Sequence, residues 1–168
     1  MKTLFIVRHA KSSWKDASLS DFDRPLNKRG KRDVPDMGLR LKALNILPDL
    51  IISSPANRAL TAAKGIAEKI GYPLKSIVGN DVLYHAGSRS IIKFIAATDD
   101  KHDSLMIFGH NPGFTYLIND LSDFYLGNLP TTGVFAIEFD VNSWQDLQKA
   151  KGRKIMYDYP KSIGTRNL

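Results

Sequence analysis

Short apolar runs alternate along the chain with longer segments in which apolar residues keep a helical period. The runs lie at residues 4–7, 50–52 and 105–108. After the second run, alanine and isoleucine recur at spacings of three and one from Ala59 to Ile70, which is typical of an amphipathic helix. This alternation predicts βαβ units around a mainly parallel sheet.

The same pattern predicts where the elements begin and end. We expect strands near residues 3–8, 49–53, 76–80 and 104–109, and helices over about 28–44, 55–70, 88–97 and 114–121. Ser54 is the expected cap of the second helix, Pro55 its first residue and Gly71 its stop. Pro35 lies inside the first helix, so that helix should begin near Val34 or kink there.

The C-terminal third follows a different pattern. Residues 134–141 and 154–159 alternate like strands, with no strong helix between them, and should extend the sheet as an antiparallel edge. No linker or repeat marks a boundary, so we predict a single domain over residues 1–168 with the α/β architecture of a three-layer αβα sandwich. Residues 164–168 should be loose.

Composition bears on the compartment. Hydrophobic residues make up 43% of the 168, which is enough for one substantial core. No apolar run is long enough for a membrane span or a secretory signal, so we expect a cytoplasmic protein that does not enter a membrane. The absence of cysteine excludes disulfides and thiolate metal sites.

The net charge of +7 favours an anionic partner, which could be a phosphorylated substrate, a nucleic acid or an anionic surface. The basic residues are scattered, and they do not interleave with aromatic residues to form a base-stacking platform. We therefore expect no nucleic-acid partner. The choice of ligand must come from particular residues.

Cationic and imidazole side chains follow three of the predicted strands. Arg8 and His9 end the first apolar run, Arg58 follows the second, and His110 follows the third. Ligands of open parallel α/β sheets bind beyond the carboxyl ends of the strands, so these residues should converge. Arg58 also falls in the first turn of its helix, where unpaired N–H groups and the helix dipole favour an anion. The pattern predicts a site for a phosphoryl group.

Each residue type suits a role in phosphoryl transfer. The planar donors of arginine match phosphate oxygens and offset their charge in the transition state. Nearby arginines should depress the pKa of His9 and keep a neutral nitrogen for nucleophilic attack. His110 would donate to the phosphoryl oxygens, with Gly109 allowing close backbone approach. Arg8, Arg58, His110 and Asn111 are the substrate-binding candidates.

Three motifs together resemble those of the histidine phosphatase superfamily, also called phosphoglycerate mutase-like. They are Arg8-His9-Ala10, Ser53-Ser54-Pro55 followed by Arg58-Ala59 and Thr61-Ala62, and Gly109-His110-Asn111-Pro112. Within the superfamily, the chain is most similar to phosphohistidine phosphatases of the SixA type. That similarity is carried by Arg8-His9-Ala10-Lys11-Ser12, Asp21-Phe22-Asp23-Arg24-Pro25-Leu26, Arg29-Gly30 and Tyr84-His85-Ala86. The resemblance covers about residues 3–140. It implies a phosphoglycerate mutase-like fold and a phosphohistidine intermediate on His9, enclosed by Arg8, Arg58 and His110.

A general acid is not evident in the sequence. Many superfamily members supply a carboxylate after the third strand, whereas residues 81–87 contain no glutamate and Asp81 lies close to the strand end. His85 and Asp21 are the candidate acids, although a loop role is the commoner interpretation of each. An alkoxide leaving group needs positioned protonation, whereas cleavage of a P–N bond releases the weaker base imidazole. The missing acid therefore favours phosphohistidine over phosphate esters.

We accordingly expect a phosphatase that removes phosphate from phosphohistidine in proteins, with neither a cofactor nor a metal ion. The segments around the expected site are short and leave little room for a roof, so a protein side chain should be able to enter. The partner would be a phosphohistidine-carrying signalling protein. Two alternatives remain open: a phosphatase of small phosphomonoesters with the same site, and a non-catalytic module that binds phosphate groups.

Overall fold

A computed structural model gives the fold and describes residues 1–162. The strands are β1 (Lys2–Arg8), β2 (Leu50–Ser53), β3 (Val78–Gly79), β4 (Ser104–Gly109), β5 (Val134–Phe139) and β6 (Arg153–Asp158). The α-helices are α1 (Lys28–Ala43), α2 (Asn57–Ile70), α3 (Val82–His85), α4 (Ser88–Ala96) and α5 (Gly113–Leu121). Short 3-10 helices cover Asp21–Asp23, Leu74–Ser76 and Trp144–Lys149.

These strands form one sheet in the order β3-β2-β4-β1-β5-β6. The first four along the chain are parallel, while β5 runs antiparallel to β1 and β6 antiparallel to β5. Arg8 pairs with Gly109, and Ser53 with Phe108, so β1, β2 and β4 end side by side. The predicted parallel sheet with an antiparallel edge is confirmed.

Strand β1 shows why helices must cover both faces of the sheet. Leu4 and Ile6 are buried in a cluster with residues of α4 and α5. Phe5 and Val7, which point the other way, are buried in a second cluster with residues of α1 and α2. The result is a helix layer on each side of the sheet, which confirms the predicted three-layer α/β sandwich.

The two long helices lie close to their predicted ranges of about 28–44 and 55–70. α1 starts at Lys28, where the Asn27 side chain accepts the Gly30 N–H, and it continues through Pro35; a start near Val34 was the wrong alternative. Val34 packs in the same buried cluster as residues of α2, so tertiary packing supports the helix across the proline. α2 starts at Asn57, two residues later than predicted, and ends at Ile70, where Gly71 is the predicted stop.

The segment around β3 differs most from the prediction. β3 has two residues, both exposed, where a five-residue strand was expected. Residues 82–85, which carry no clear periodic signal, form α3 directly after it. The prediction of a loose end at residues 164–168 falls outside the described residues. Within residues 1–162, no helix is both long and apolar enough to cross a membrane.

Candidate active site

The ends of β1, β2 and β4 bring the predicted site residues to one edge of the sheet. The His9 N–H donates to the Gly109 carbonyl at 3.0 Å, and the Ser54 N–H donates to the Phe108 carbonyl at 2.8 Å. These bonds continue the sheet beyond the strands. They place the His9 and His110 rings with their centroids 5.1 Å apart.

The protonation of His9 is fixed by its own neighbour. The residue is only 8% exposed, and its Nδ1 lies 2.7 Å from the Ala10 carbonyl oxygen. Since a carbonyl can only accept, the ring proton sits on Nδ1, and Nε2 keeps its lone pair. Burial lowers the pKa of His9 to about 4, aided by the charges of Arg58 and Arg8 and opposed by the Ala10 hydrogen bond. His9 is therefore a neutral imidazole with a free nucleophilic nitrogen.

Ser54, the residue directly after β2, holds the His110 ring in place. The Ser54 Oγ lies 2.8 Å from His110 Nε2 and accepts the Ala56 N–H, so Ser54 serves the site in place of its predicted role as a helix cap. Because the Ser54 hydroxyl can donate its own proton to Nε2, the single proton of the neutral His110 ring can sit on Nδ1. Burial, together with the neighbouring His9 and Arg58, lowers the pKa of His110 to about 3. Its Nδ1 is buried without a hydrogen-bond partner among the described residues. Such a nitrogen suits a ligand atom that is not part of the protein.

Glycine at position 109 serves packing behind the site. A Cβ placed there would lie 2.5 Å from the Phe114 ring and 2.9 Å from the Leu83 carbonyl oxygen. The close approach expected at this glycine is therefore made by Phe114 and the Leu83 backbone. Any larger residue would displace the strand end that carries His110.

Two arginine side chains supply positive charge. Arg8 Nη1 donates to the Leu129 carbonyl at 3.0 Å, and Arg58 donates to the Asp21 carbonyl (Nη1, 2.7 Å) and carboxylate (Nη2, 3.0 Å). The Nε atoms of both arginines are buried without a partner, and Arg8 has no carboxylate within salt-bridge distance in residues 1–162. Because each terminal nitrogen carries two hydrogens, donors remain for an incoming anion.

Asp21 is bound to the cations of the site. Its carboxylate accepts from Arg24 Nη2 at 3.0 Å, Arg58 Nη2 at 3.0 Å and the Tyr84 hydroxyl at 2.8 Å. Burial acts to raise the pKa of Asp21, but the hydrogen bonds from Tyr84, Arg24 and Arg58 outweigh it and hold that pKa well below the usual range. The carboxylate is ionised at neutral pH, which argues against the predicted role of Asp21 as the acid. It instead orients Arg58.

The residues after β3 line the other side of the site. His85, the second candidate acid, is exposed, and its ring lies 3.8 Å from that of Tyr84 between centroids. Tyr84 presents an edge to His110 at 5.4 Å and donates its hydroxyl proton to Asp21. Burial and the bond to Asp21 raise the pKa of Tyr84, so it stays a donor. Tyr84 belongs to the Tyr84-His85-Ala86 motif, but no sequence pattern predicts its hydrogen bond to Asp21.

The amide of Asn111, predicted to bind substrate, makes its hydrogen bonds within the protein. Its amide nitrogen donates to the Leu129 carbonyl at 2.9 Å and to Asn128, while its amide oxygen accepts from the backbone and hydroxyl of Thr115. Arg8 donates to the same Leu129 carbonyl. The Asn111 amide thus connects the start of α5 to the Leu129 carbonyl that also accepts from Arg8. It stabilises the loop beside the site through bonds within the protein.

Comparison with known proteins agrees with this geometry. Residues 4–78 match the model of the histidine phosphatase superfamily (branch 1). An uncharacterised chloroplastic protein of Arabidopsis thaliana is 30% identical over 161 residues, which cover 90% of this chain and 72% of the relative. The crystal structure of SixA from Agrobacterium tumefaciens superposes with a TM-score of 0.80 and 26% identity, covering 95% of this chain and 98% of that one. A structure of the protein histidine phosphatase SixA complexed with tungstate has the same fold, with a TM-score of 0.81, 20% identity and coverage of 94% and 97%.

A neutral histidine between two arginines, at the strand ends of an α/β sheet, suits phosphoryl chemistry. The chain belongs to the histidine phosphatase superfamily, and within it the chain is similar to SixA from Agrobacterium tumefaciens. This membership supports phosphatase activity, which makes the chain a hydrolase of phosphoryl groups.

Proposed function

We propose that this phosphatase hydrolyses phosphohistidine in proteins through a phosphoryl intermediate on His9. The observation that carries the proposal is the hydrogen bond from His9 Nδ1 to the Ala10 carbonyl, which leaves Nε2 unprotonated. The low pKa of His9, about 4, keeps that nitrogen available at neutral pH.

In the first step, His9 Nε2 attacks the phosphorus atom, and the P–N bond to the substrate imidazole breaks. The other ring nitrogen of the substrate carries a proton taken from solvent, so the electron pair of the P–N bond leaves with a neutral imidazole. The phosphorylated His9 ring is positively charged, and its Nδ1–H continues to donate to the Ala10 carbonyl. Arg8, Arg58 and His110 would donate to the phosphoryl oxygens as charge builds on them. In the second step, water attacks phosphorus and gives up a proton to solvent, the P–Nε2 bond breaks, inorganic phosphate leaves, and His9 Nε2 regains its lone pair.

The protonation states around the site favour a P–N bond as the substrate. Asp21 is held ionised by Arg24, Arg58 and Tyr84, and Asp81 is exposed near the end of β3. An alkoxide leaving group is strongly basic and would need a positioned acid in the site. An imidazole leaving group is a much weaker base, with a conjugate-acid pKa of about 6.5, and solvent can protonate it near neutral pH. The SixA relatives are named for action on phosphohistidine and on protein histidine, which agrees with this choice.

Substrate comparison tests the proposal. We expect kcat/KM to be higher for a phosphohistidine peptide than for p-nitrophenyl phosphate or a panel of sugar and nucleotide phosphates, and to be lost in His9→Ala. His102→Ala, which removes a histidine outside the site, is the matched control. Preference for the metabolites would identify a small-molecule phosphatase. Saturable phosphate binding without turnover would identify a binding module.

A further inference from the structure

Residues 12–26, here called the rim segment, form a closed loop beside the site. An antiparallel bridge joins Ser12 to Leu26 at its base, and the Ser13 N–H donates to the Pro25 carbonyl at 2.8 Å. Inside the loop, the Asp16 carboxylate accepts the Ser18 N–H at 3.0 Å. These bonds fix the loop before any ligand arrives, which reduces the entropy cost of binding to it.

The rim segment exposes large apolar side chains. Trp14 is 76% exposed, while Leu19 and Phe22 are 37% and 38% exposed. Isolated exposed apolar residues are ordinary, but three within nine positions of one loop, including a tryptophan, indicate a contact surface.

Arg24 sets the orientation of the Trp14 ring by stacking against one of its faces. The guanidinium carbon of Arg24 lies 3.5 Å from the centroid of the Trp14 ring. Arg24 itself is only 7% exposed, because it donates to Ser12 Oγ at 2.7 Å and to the Asp21 carboxylate. This cation–π stack holds one face of the indole and leaves the rest of it to solvent.

The exposed ring borders the site. Arg24, beneath Trp14, is near enough for its charge to lower the pKa of His9, and its partner Asp21 binds Arg58. His9 is 8% exposed, so a phosphohistidine must insert its side chain to reach Nε2. The backbone that carries that side chain therefore stays at the protein surface, where Trp14 is exposed.

We propose that the rim segment is a docking surface for the peptide segment on either side of the substrate phosphohistidine. Trp14 is its anchor and takes an apolar side chain adjacent to the phosphohistidine. A rigidly held, solvent-facing tryptophan is the residue type that most often dominates protein recognition. The inference deepens the proposed function and rests on it, since it supplies a reason for preferring a protein over a free metabolite.

The test uses free phosphohistidine and two phosphohistidine peptides, one flanked by leucines and one by glycines. Wild-type protein should prefer the leucine-flanked peptide. In Trp14→Ala, the ratio of kcat/KM for that peptide to kcat/KM for free phosphohistidine should fall about tenfold. Trp14→Phe keeps an aromatic face and should retain most of the ratio. Leu47→Ala removes a 57% exposed apolar residue from the segment before β2. This segment lies at the amino end of the strand, opposite the site, so the variant should retain the full ratio.

Two results would overturn the docking surface. Wild-type protein could turn over both peptides equally well, or Trp14→Ala could leave the ratio unchanged. If the ratio stays unchanged because kcat/KM falls by the same factor for both substrates, Trp14 only shields Arg24. Failure of wild-type protein to hydrolyse any of the three phosphohistidine substrates would overturn the proposed function, and the docking surface with it.

Discussion

The Ala10 carbonyl decides which nitrogen of His9 can attack phosphorus. Because this bond is formed by an adjacent residue, it depends little on the rest of the fold. We predict from the pKa of about 4 for His9, and about 3 for His110, that both rings stay neutral well below their ordinary titration range. Titration followed by ¹⁵N NMR, with His9→Ala used to assign the signals, should show His9 neutral at pH 5.5 with its proton on Nδ1. A His9 transition near pH 6.5 would contradict the site described above.

Asp21 offers a second test at the scale of single residues. Asp21→Asn removes the charge that orients Arg58, so kcat/KM for a phosphohistidine peptide should fall by about tenfold or more. Asp23→Asn is the matched control, because the Asp23 carboxylate binds the Ser20 hydroxyl instead of an arginine of the site. If Asp21 were the acid, Asp21→Asn would impair phosphate esters far more than phosphohistidine. Equal effects of the two variants would contradict the orienting role.

At the scale of elements, the strand ends carry the site, and Gly109 tests this. Gly109→Ala places a Cβ against Phe114 and the Leu83 carbonyl, so it should destabilise the fold by about 1–3 kcal/mol and lower kcat as His110 shifts. Gly79→Ala is the control, since a Cβ there meets nothing within 4 Å at the end of β3. Urea unfolding and steady-state kinetics measure both effects. Full stability in Gly109→Ala would show that the strand end tolerates a larger residue.

The elements that the sequence predicted well are those with a strong local signal. Buried runs identify β1, β2 and β4, and the regular apolar spacing identifies α2, so Arg8, His9, Arg58 and His110 could be placed before the structure was known. α3 has four residues, which is too few to show a period. The bonds of Asp21 to Arg58 and Tyr84 join residues far apart in sequence, and no local pattern reports them. The same holds for the commitment of the Asn111 amide to Leu129.

At the scale of the whole molecule, the two buried histidines link stability to pH. Their folded-state pKa values lie below the ordinary 6.5, so between these values the unfolded chain binds more protons than the folded one. Their contribution is complete above pH 6.5 and is lost as pH falls. The free energy of unfolding should therefore decrease from pH 7 to pH 5, by on the order of 2 kcal/mol for each histidine. His110→Asn should reduce that decrease in urea titrations. An equal decrease in the variant would contradict the linkage.

The covalent intermediate is the central claim, and rapid-quench trapping tests it most directly. Wild-type protein is mixed with a phosphohistidine peptide labelled with ³²P, quenched in alkali during turnover and mapped by mass spectrometry. The account predicts acid-labile phosphate on His9 in the wild-type protein and in His102→Ala, and none in His9→Ala. Turnover by wild-type protein without any label on His9, or label that persists in His9→Ala, would contradict it.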